Sequence, residues 1–102
     1  MFARLTFIEA DPRADAKSLE KALRPMLPMI ESTAGCRGVV WLTDPSSGRC
    51  VTISFYEDRD ALNDSLEAAR KLTPELLEPI GGRLGPIQDF EVRGISRRVR
   101  IG

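Results

Sequence analysis

Residues 2–9, FARLTFIE, are rich in branched and aromatic side chains with partial alternation, and the polar break ADPRAD follows, so they read as a strand. From Ser18 the period changes. Leu19, Ala22, Leu23, Met26, Leu27 and Ile30 recur at three and four, which places them on one helical face, with Asp15 positioned to cap the first turn. Pro25 and Pro28 interrupt this pattern. Each removes a backbone donor and crowds the preceding turn at about 3 kcal/mol, so a kink or break is expected there, with Gly35 as the stop. Residues 38–44 and 49–56 form a hairpin around DPSSG. A second helix starts after Asp58, with Leu62, Leu66 and Ala69 on one face, and Asp60 and Asp64 early and Arg70 and Lys71 late, to suit the helix dipole. Thr73-Pro74 is expected to interrupt it and restart a short turn through Leu76, Leu77 and Ile80. GGRLGP then reads as a loop, and residues 87–93, IQDFEVR, as the last strand.

The order β-α-β-β-α-β predicts a ferredoxin-like α+β fold: one four-stranded antiparallel sheet with both helices on one face and the first and third strands central. Residues 1–94 make this single domain, and residues 95–102, ISRRVRIG, a basic C-terminal tail.

Alternation also assigns faces. With a four-residue loop, Leu42 stands opposite Val51, Val40 opposite Ile53 and Gly38 opposite Phe55, a wholly apolar side. The other side carries Val39, Trp41, Thr43, Cys50, Thr52, Ser54 and Tyr56, and the first strand divides likewise, with Ala3, Leu5 and Phe7 on one side and Phe2, Arg4, Thr6 and Ile8 on the other. Two helices cover one face only. The expectation is that they take the apolar side and that a second copy of the sheet covers the mixed side, Trp41 included, burying about 800 Å² per partner.

Charge and cysteine content narrow the partners. Fifteen Lys and Arg balance fifteen Asp and Glu, which removes the electrostatic footprint of a binder of nucleic acid or of anionic membrane. The chain shows neither a run of about 18 apolar residues nor a signal-peptide pattern, so a cytoplasmic location is expected. Cys36 and Cys50 fall at opposite ends of the hairpin, roughly 20 Å apart, and read as free thiols. Histidine is absent, so neither a Cys-His nucleophile nor a Cys/His metal site is available.

The segments AGCRGVVWL, DPSSGR and ISFYEDRDAL together resemble the hairpin signature of the dimeric α/β-barrel superfamily, in particular its antibiotic biosynthesis monooxygenase-like domains. The resemblance covers about nine-tenths of the chain. It implies that two sheets pair into one barrel and that an aromatic or polycyclic ligand, or haem, sits between sheet and helices. The tryptophan that precedes the strand-ending glutamate in that family corresponds to Tyr56 before Glu57. The family's oxygenases and haem-degrading members also use an asparagine in the first strand and a histidine on the second helix. This chain has neither, so haem ligation by histidine is ruled out and no cofactor is expected.

The resemblance places Tyr56 against the ligand as a hydrogen-bond donor and the catalytic candidate; otherwise it is a tyrosine at a strand end. Trp41 either packs or stacks on a ligand. Arg4, in a central strand, either pairs with a carboxylate such as Glu91 or binds an acidic ligand. Met26 and Leu66 complete the expected ligand set from the helices, Met26 beside the room that a proline kink leaves. The implied function is a homodimer that binds a small organic ligand, with cofactor-independent monooxygenation of an aromatic or polyketide-like substrate as its sharpest form. A non-catalytic ligand-binding or regulatory module of the same fold is the alternative.

Overall fold

A computed structural model describes residues 1–102 apart from 12, 14, 79, 80, 101 and 102, and excludes the side chains of 16, 68, 72, 73 and 76. The expectations for Ile80, for the side chain of Leu76, for part of ADPRAD and for the last two tail residues lie outside what is described. The elements are β1 (Phe2–Glu9), α1 (Ala16–Leu23), α2 (Met26–Glu31), β2 (Cys36–Thr43), β3 (Arg49–Tyr56), α3 (Arg59–Leu77) and β4 (Arg83–Glu91). The four strands form one antiparallel sheet in the order β2-β3-β1-β4, so the first and third strands are central as expected.

Local chemistry sets the helix boundaries. Asp15 accepts from the Ser18 backbone N–H at 2.7 Å and Asp58 from that of Ala61 at 2.8 Å, each satisfying a first-turn donor that the helix cannot pair itself. The first helix breaks at Arg24 and Pro25, giving α1 and α2. Pro28 stands inside α2 near its start, where a backbone N–H would have had no helical acceptor.

Gly35 carries the chain from α2 into β2 with φ +77°. Its carbonyl accepts from the Glu57 N–H at 2.9 Å, and a β-carbon there would lie 2.4 Å from Cβ of Ala61. Left-handed backbone and steric overlap act together, so Gly35→Ala is expected to lower stability by about 2 kcal/mol in a denaturant titration.

Two expectations fail in the second half of the chain. Pro74 does not interrupt the second helix: α3 is continuous to Leu77. The proline stands only one turn from the C-terminus, and the turn beyond it seats Leu77 with no exposed surface. That burial contributes about 2 kcal/mol against the proline cost of about 3 kcal/mol. The GGRLGP segment is not a loop either. β4 begins at Arg83, pairing Arg83 with Glu9 and Leu84 with Ile8 before a register shift. It is also an edge strand, where Pro86 costs no internal ladder bond.

The face assignment is inverted. The residues the helices cover are Arg4, Thr6 and Ile8 of β1 and Cys50, Thr52, Ser54 and Tyr56 of β3, all buried. Trp41 is on this side too, packed with Ile30 against a core of Ile8, Leu23, Met26, Cys50 and Leu77. The wholly apolar side is the uncovered one. Val40 and Leu42 are 43% and 48% exposed, Phe90 joins them at 52%, and Leu5, Phe7, Val51, Ile53 and Phe55 are half-buried between them.

Candidate functional site

Strand register arranges the helix-covered face in rows across the sheet. Thr43, Cys50, Ile8 and Leu84 align at the hairpin-tip end, then Trp41, Thr52, Thr6 and Ile87. Val39, Ser54, Arg4 and Asp89 follow, and Cys36, Tyr56, Phe2 and Glu91 close the far end. In the first row Ile8 and Cys50 belong to the apolar core. The next two put three hydroxyls, one indole and one guanidinium under the helices.

Arg4 is 1% exposed, and its guanidinium is fully engaged in binding protein groups. Nε donates to Asp89 Oδ1 at 2.9 Å and Nη2 to Asp89 Oδ2 at 3.2 Å, a fork-on-fork ion pair across the β1–β4 ladder. Nη1 donates to Ser65 Oγ at 2.6 Å and Nη2 also to the Leu62 carbonyl at 2.7 Å, and the Ser65 hydroxyl donates to that carbonyl at 2.7 Å. One side chain thus ties two strands to α3. Of the two expectations for Arg4, the structure has the carboxylate pairing, with Asp89 in place of Glu91. Glu91 is opposite Phe2 and pairs instead with Arg93 at 3.4 Å.

Tyr56 is 2% exposed, and the Arg4 guanidinium carbon lies 5.7 Å from its ring centroid. Its hydroxyl forms no hydrogen bond among the described residues. Phe2 stands beside it in the ladder, covered by the Arg59 guanidinium at 4.8 Å.

Trp41 stands opposite Thr52, four residues back along β3 from Tyr56, or about 13 Å. The hydroxyls of Thr6, Thr52 and Ser54 make no side-chain hydrogen bond among the described residues, although each residue is buried. Trp41 Nε1 is cut off from solvent and has no acceptor within the described residues.

Of the five side chains singled out in the sequence, Arg4 and Tyr56 are thus in contact, Trp41 and Met26 share the core cluster, and Leu66 is half-buried on α3. Sequence reasoning passed over Asp89, Ser65, Thr6, Thr52 and Ser54. The available signal was the run of small hydroxyl residues at alternate positions on the two central strands. Such side chains suit neither a dry core nor a charged surface.

Two depressions lie elsewhere. One of about 280 Å³ is at the hairpin tip, lined by Phe7, Leu42, Thr43, Asp44, Arg49, Cys50 and Val51. Another, about 510 Å³ and shallower, lies between the end of α3 and the start of β4. Both cysteines are free, as expected from their separation. Among the described residues no group of three acidic, cysteine or histidine side chains is placed to hold a metal, and no helix is long and apolar enough to cross a membrane.

This arrangement of strands, helices and split faces recurs in solved structures. SnoaB from Streptomyces nogalater, a cofactor-independent oxygenase crystallised as a mutant, superposes with a TM-score of 0.70 at 13% identity, covering 95% of this chain and 97% of its own. An antibiotic biosynthesis monooxygenase-like protein from Deinococcus radiodurans gives 0.70 at 16% identity, covering 97% and 98%. The fold is that of the antibiotic biosynthesis monooxygenase-like domains. A further example is the monooxygenase ActVA-Orf6 of Streptomyces coelicolor, in complex with nanaomycin D, at a TM-score of 0.64 and 18% identity over 96% of this chain and 92% of that one.

No family model matches the chain. Among curated proteins it is similar to two uncharacterized proteins of Mycobacterium tuberculosis. Rv2557 is 27% identical over 97 residues, 95% of this chain, and Rv2558 is 34% identical over 67 residues, 66% of this chain. The chain spans only 43% of the first and 28% of the second.

Proposed function

We propose that the protein is a homodimer, closed through the open apolar sheet face, that binds a small, mostly apolar organic molecule between sheet and helices. In its enzymatic form it is a cofactor-independent monooxygenase acting on a phenolic or polyketide-like aromatic. The observation that carries the binding reading is the Trp41 indole N–H, cut off from solvent with no acceptor among the described residues, because a buried donor is retained at a cost unless something pairs with it. The shared fold supports the reaction class, SnoaB being a cofactor-independent oxygenase and ActVA-Orf6 a monooxygenase.

The chemistry asks little of the protein. A phenolate reduces dioxygen itself. For a phenol with a free para position, one oxygen atom enters the ring to give the quinone, the other leaves as water with the phenolic and ring protons, and no external reductant is consumed. The chain's part is to exclude water, orient the ring and donate a hydrogen bond to the developing oxygen charge. Tyr56 serves as that donor, its ring held by Arg4, while Met26, Leu66 and Trp41 supply apolar walls. Arg4 is spent on Asp89, Ser65 and Leu62, so it acts as scaffold for Tyr56 and no longer as an acid-binding group.

The test is dioxygen uptake with a panel of phenols and isotopically labelled gas. One label per quinone is expected, with kcat lowered at least about tenfold in Tyr56→Phe, which keeps the ring and its contact with Arg4. A wild-type rate that survives this substitution removes Tyr56 from the site. The non-catalytic reading is favoured by the absence of histidine and of a first-strand asparagine. Binding without oxygen uptake selects it.

A further inference from the structure

The open face ends at the hairpin tip in a row of charges. Glu9 stands between Arg49 of β3 and Arg83 of β4, and the Asp44 N–H donates to the Arg49 carbonyl at 2.8 Å, which sets Asp44 beside Arg49 at the end of β2. Followed across the sheet in the order β2-β3-β1-β4, the row is Asp44, Arg49, Glu9 and Arg83, alternately negative and positive. All of them are exposed. Asp44 also accepts from Ser46 and Ser47, but neutral donors leave a carboxylate its charge. Glu9 pairs with Arg83 at 3.4 Å, and an exposed pair of this kind contributes little to the stability of one chain. The row borders the depression of about 280 Å³, which Asp44 and Arg49 line together with Phe7, Leu42 and Val51.

Two identical sheets packed face to face have their two-fold axis in the plane between them, and sheets pack either aligned or near right angles. An axis along the strands reverses the strand order and keeps like ends together. The row then meets its own reverse: Asp44 faces the partner's Arg83, Arg49 faces the partner's Glu9, and symmetry repeats both contacts. Every contact joins opposite charges, across a gap of roughly 10 Å that an arginine and a carboxylate span together. Phe55 lies over the partner's Ala3 and Phe90 over the partner's Gly38, large against small. Size alone also admits an axis across the strands, but that axis exchanges the ends and lays Glu9 and Arg83 over the partner's Met1 and the partner's Val92, which are joined at the far end of the sheet. Right-angle packing lays the row along one of the partner's edge strands, whose open-face side chains are mainly apolar. Both set charges against apolar groups. We propose that the Asp44–Arg49–Glu9–Arg83 row is a self-complementary recognition element that pairs the protein with a second copy about an axis parallel to the strands, seating Phe7 over Val51 in the hairpin-tip depression of the partner. The inference rests on the homodimer proposed above and adds its register and the charges that select it.

Cross-linking tests the register. Val40, Ile53, Leu5 and Gln88 stand side by side across the middle of the face. Val40 and Gln88 of one chain are therefore three strand spacings apart, about 14 Å, too far for a disulfide. The proposed axis sets Val40 over the partner's Gln88. After mild oxidation Val40→Cys/Gln88→Cys is expected to run as a covalent dimer on a denaturing gel, while each single variant and the wild type, with its Cys36 and Cys50, run as monomers. Cross-linking by Val40→Cys alone, which an axis across the strands produces, or a double variant that stays unlinked, overturns the register. Charge reversal tests the row. Asp44→Arg sets like charges together on both sides of the axis and is expected to weaken the dimer about tenfold at low salt, with Asp44→Arg/Arg83→Asp restoring it. Both variants lose the Asp44 turn contacts, and the two positions lie at opposite edges of one sheet, so recovery reports contact between chains. At about 1 M salt, where the screening length is about 3 Å, the deficit of the single variant shrinks. An Asp44→Arg dimer of undiminished affinity, or a double variant as weak as the single one, overturns the role of the row. A wild-type monomer overturns the dimer itself, whereas a wild-type dimer with other cross-links overturns only this arrangement, so the two proposals fail separately.

Discussion

Replacing Ile53 by lysine is expected to leave the protein a monomer of 11.3 kDa under conditions in which the unaltered chain is expected, on the proposal above, to sediment as a dimer. Ile53 is at the centre of the open face, opposite Leu5 on one side and Val40 on the other. Around it Leu42, Val51, Phe55, Phe7, Ala3 and Phe90 continue an apolar surface in which Gln88 is the polar exception, bordered at the hairpin-tip end by Glu9, Arg49 and Arg83. A stable interface needs about 800 Å² from each partner, which a four-stranded face of this kind supplies. An ammonium group at its centre loses its hydration without gaining a counter-charge, at several kcal/mol, and each 1.4 kcal/mol weakens association about tenfold. A loss of at least about a hundredfold in dimer affinity follows. Trp41→Phe, on the opposite face, leaves the dimer untouched. A wild-type monomer at micromolar concentration, or an Ile53→Lys dimer of undiminished affinity, sinks the assembly.

The second large effect is at Arg4. Arg4→Met keeps the apolar stem of the side chain and removes all of its hydrogen bonds, stranding the Asp89 carboxylate and leaving Ser65 and the Leu62 carbonyl only each other. Breaking a buried pair from one side costs about 3–5 kcal/mol. Asp89 is 34% exposed and recovers some hydration, which puts the expectation near the lower figure. That is a large share of a typical domain stability of about 5–15 kcal/mol. Denaturant titration measures it, with Arg4→Met/Asp89→Leu expected to regain part of the loss because no charge is then left without its partner. A loss below about 1 kcal/mol in the single variant would show that the network is not what fastens α3 to the sheet.

Element order, strand centrality, hairpin register and both aspartate caps were legible in the residues because each depends on local spacing. Leu42 meets Val51 as the loop length requires, and Asp15 caps the turn it precedes. What alternation could not decide was which face the helices take. It says that two sets of side chains avoid water, not what covers each of them. The common rule that helices take the most apolar side fails here for a reason visible afterwards. The first helix is split at Arg24 and Pro25, and its buried anchors are Leu19, Leu23 and Met26. Of these, Leu23 and Met26 pack at one end of the sheet with Ile8 and Cys50, away from the long apolar side.

The site was half legible for a related reason. Tyr56 and Trp41 were marked as aromatic, and Arg4 as a charge out of place. The partner of Arg4 depended on the exact β1–β4 register, which the misread GGRLGP segment concealed. Pro74 and that segment misled in the same way: residues that usually break structure were held inside it, one by the burial of Leu77 and the other by pairing along an edge.

The β1–β4 pairing bears on how such domains multiply. Phe2 is opposite Glu91, and the Val92 N–H donates to the Met1 carbonyl, so the polypeptide enters and leaves the domain at one corner. For the dimer proposed above, duplication and fusion of the coding sequence would join one unit to the next at that corner. The two halves would then be free to diverge, one keeping a ligand strip and the other serving as its lid. The Mycobacterium tuberculosis relative Rv2557, of which this domain spans 43%, has room for a second unit of the same size.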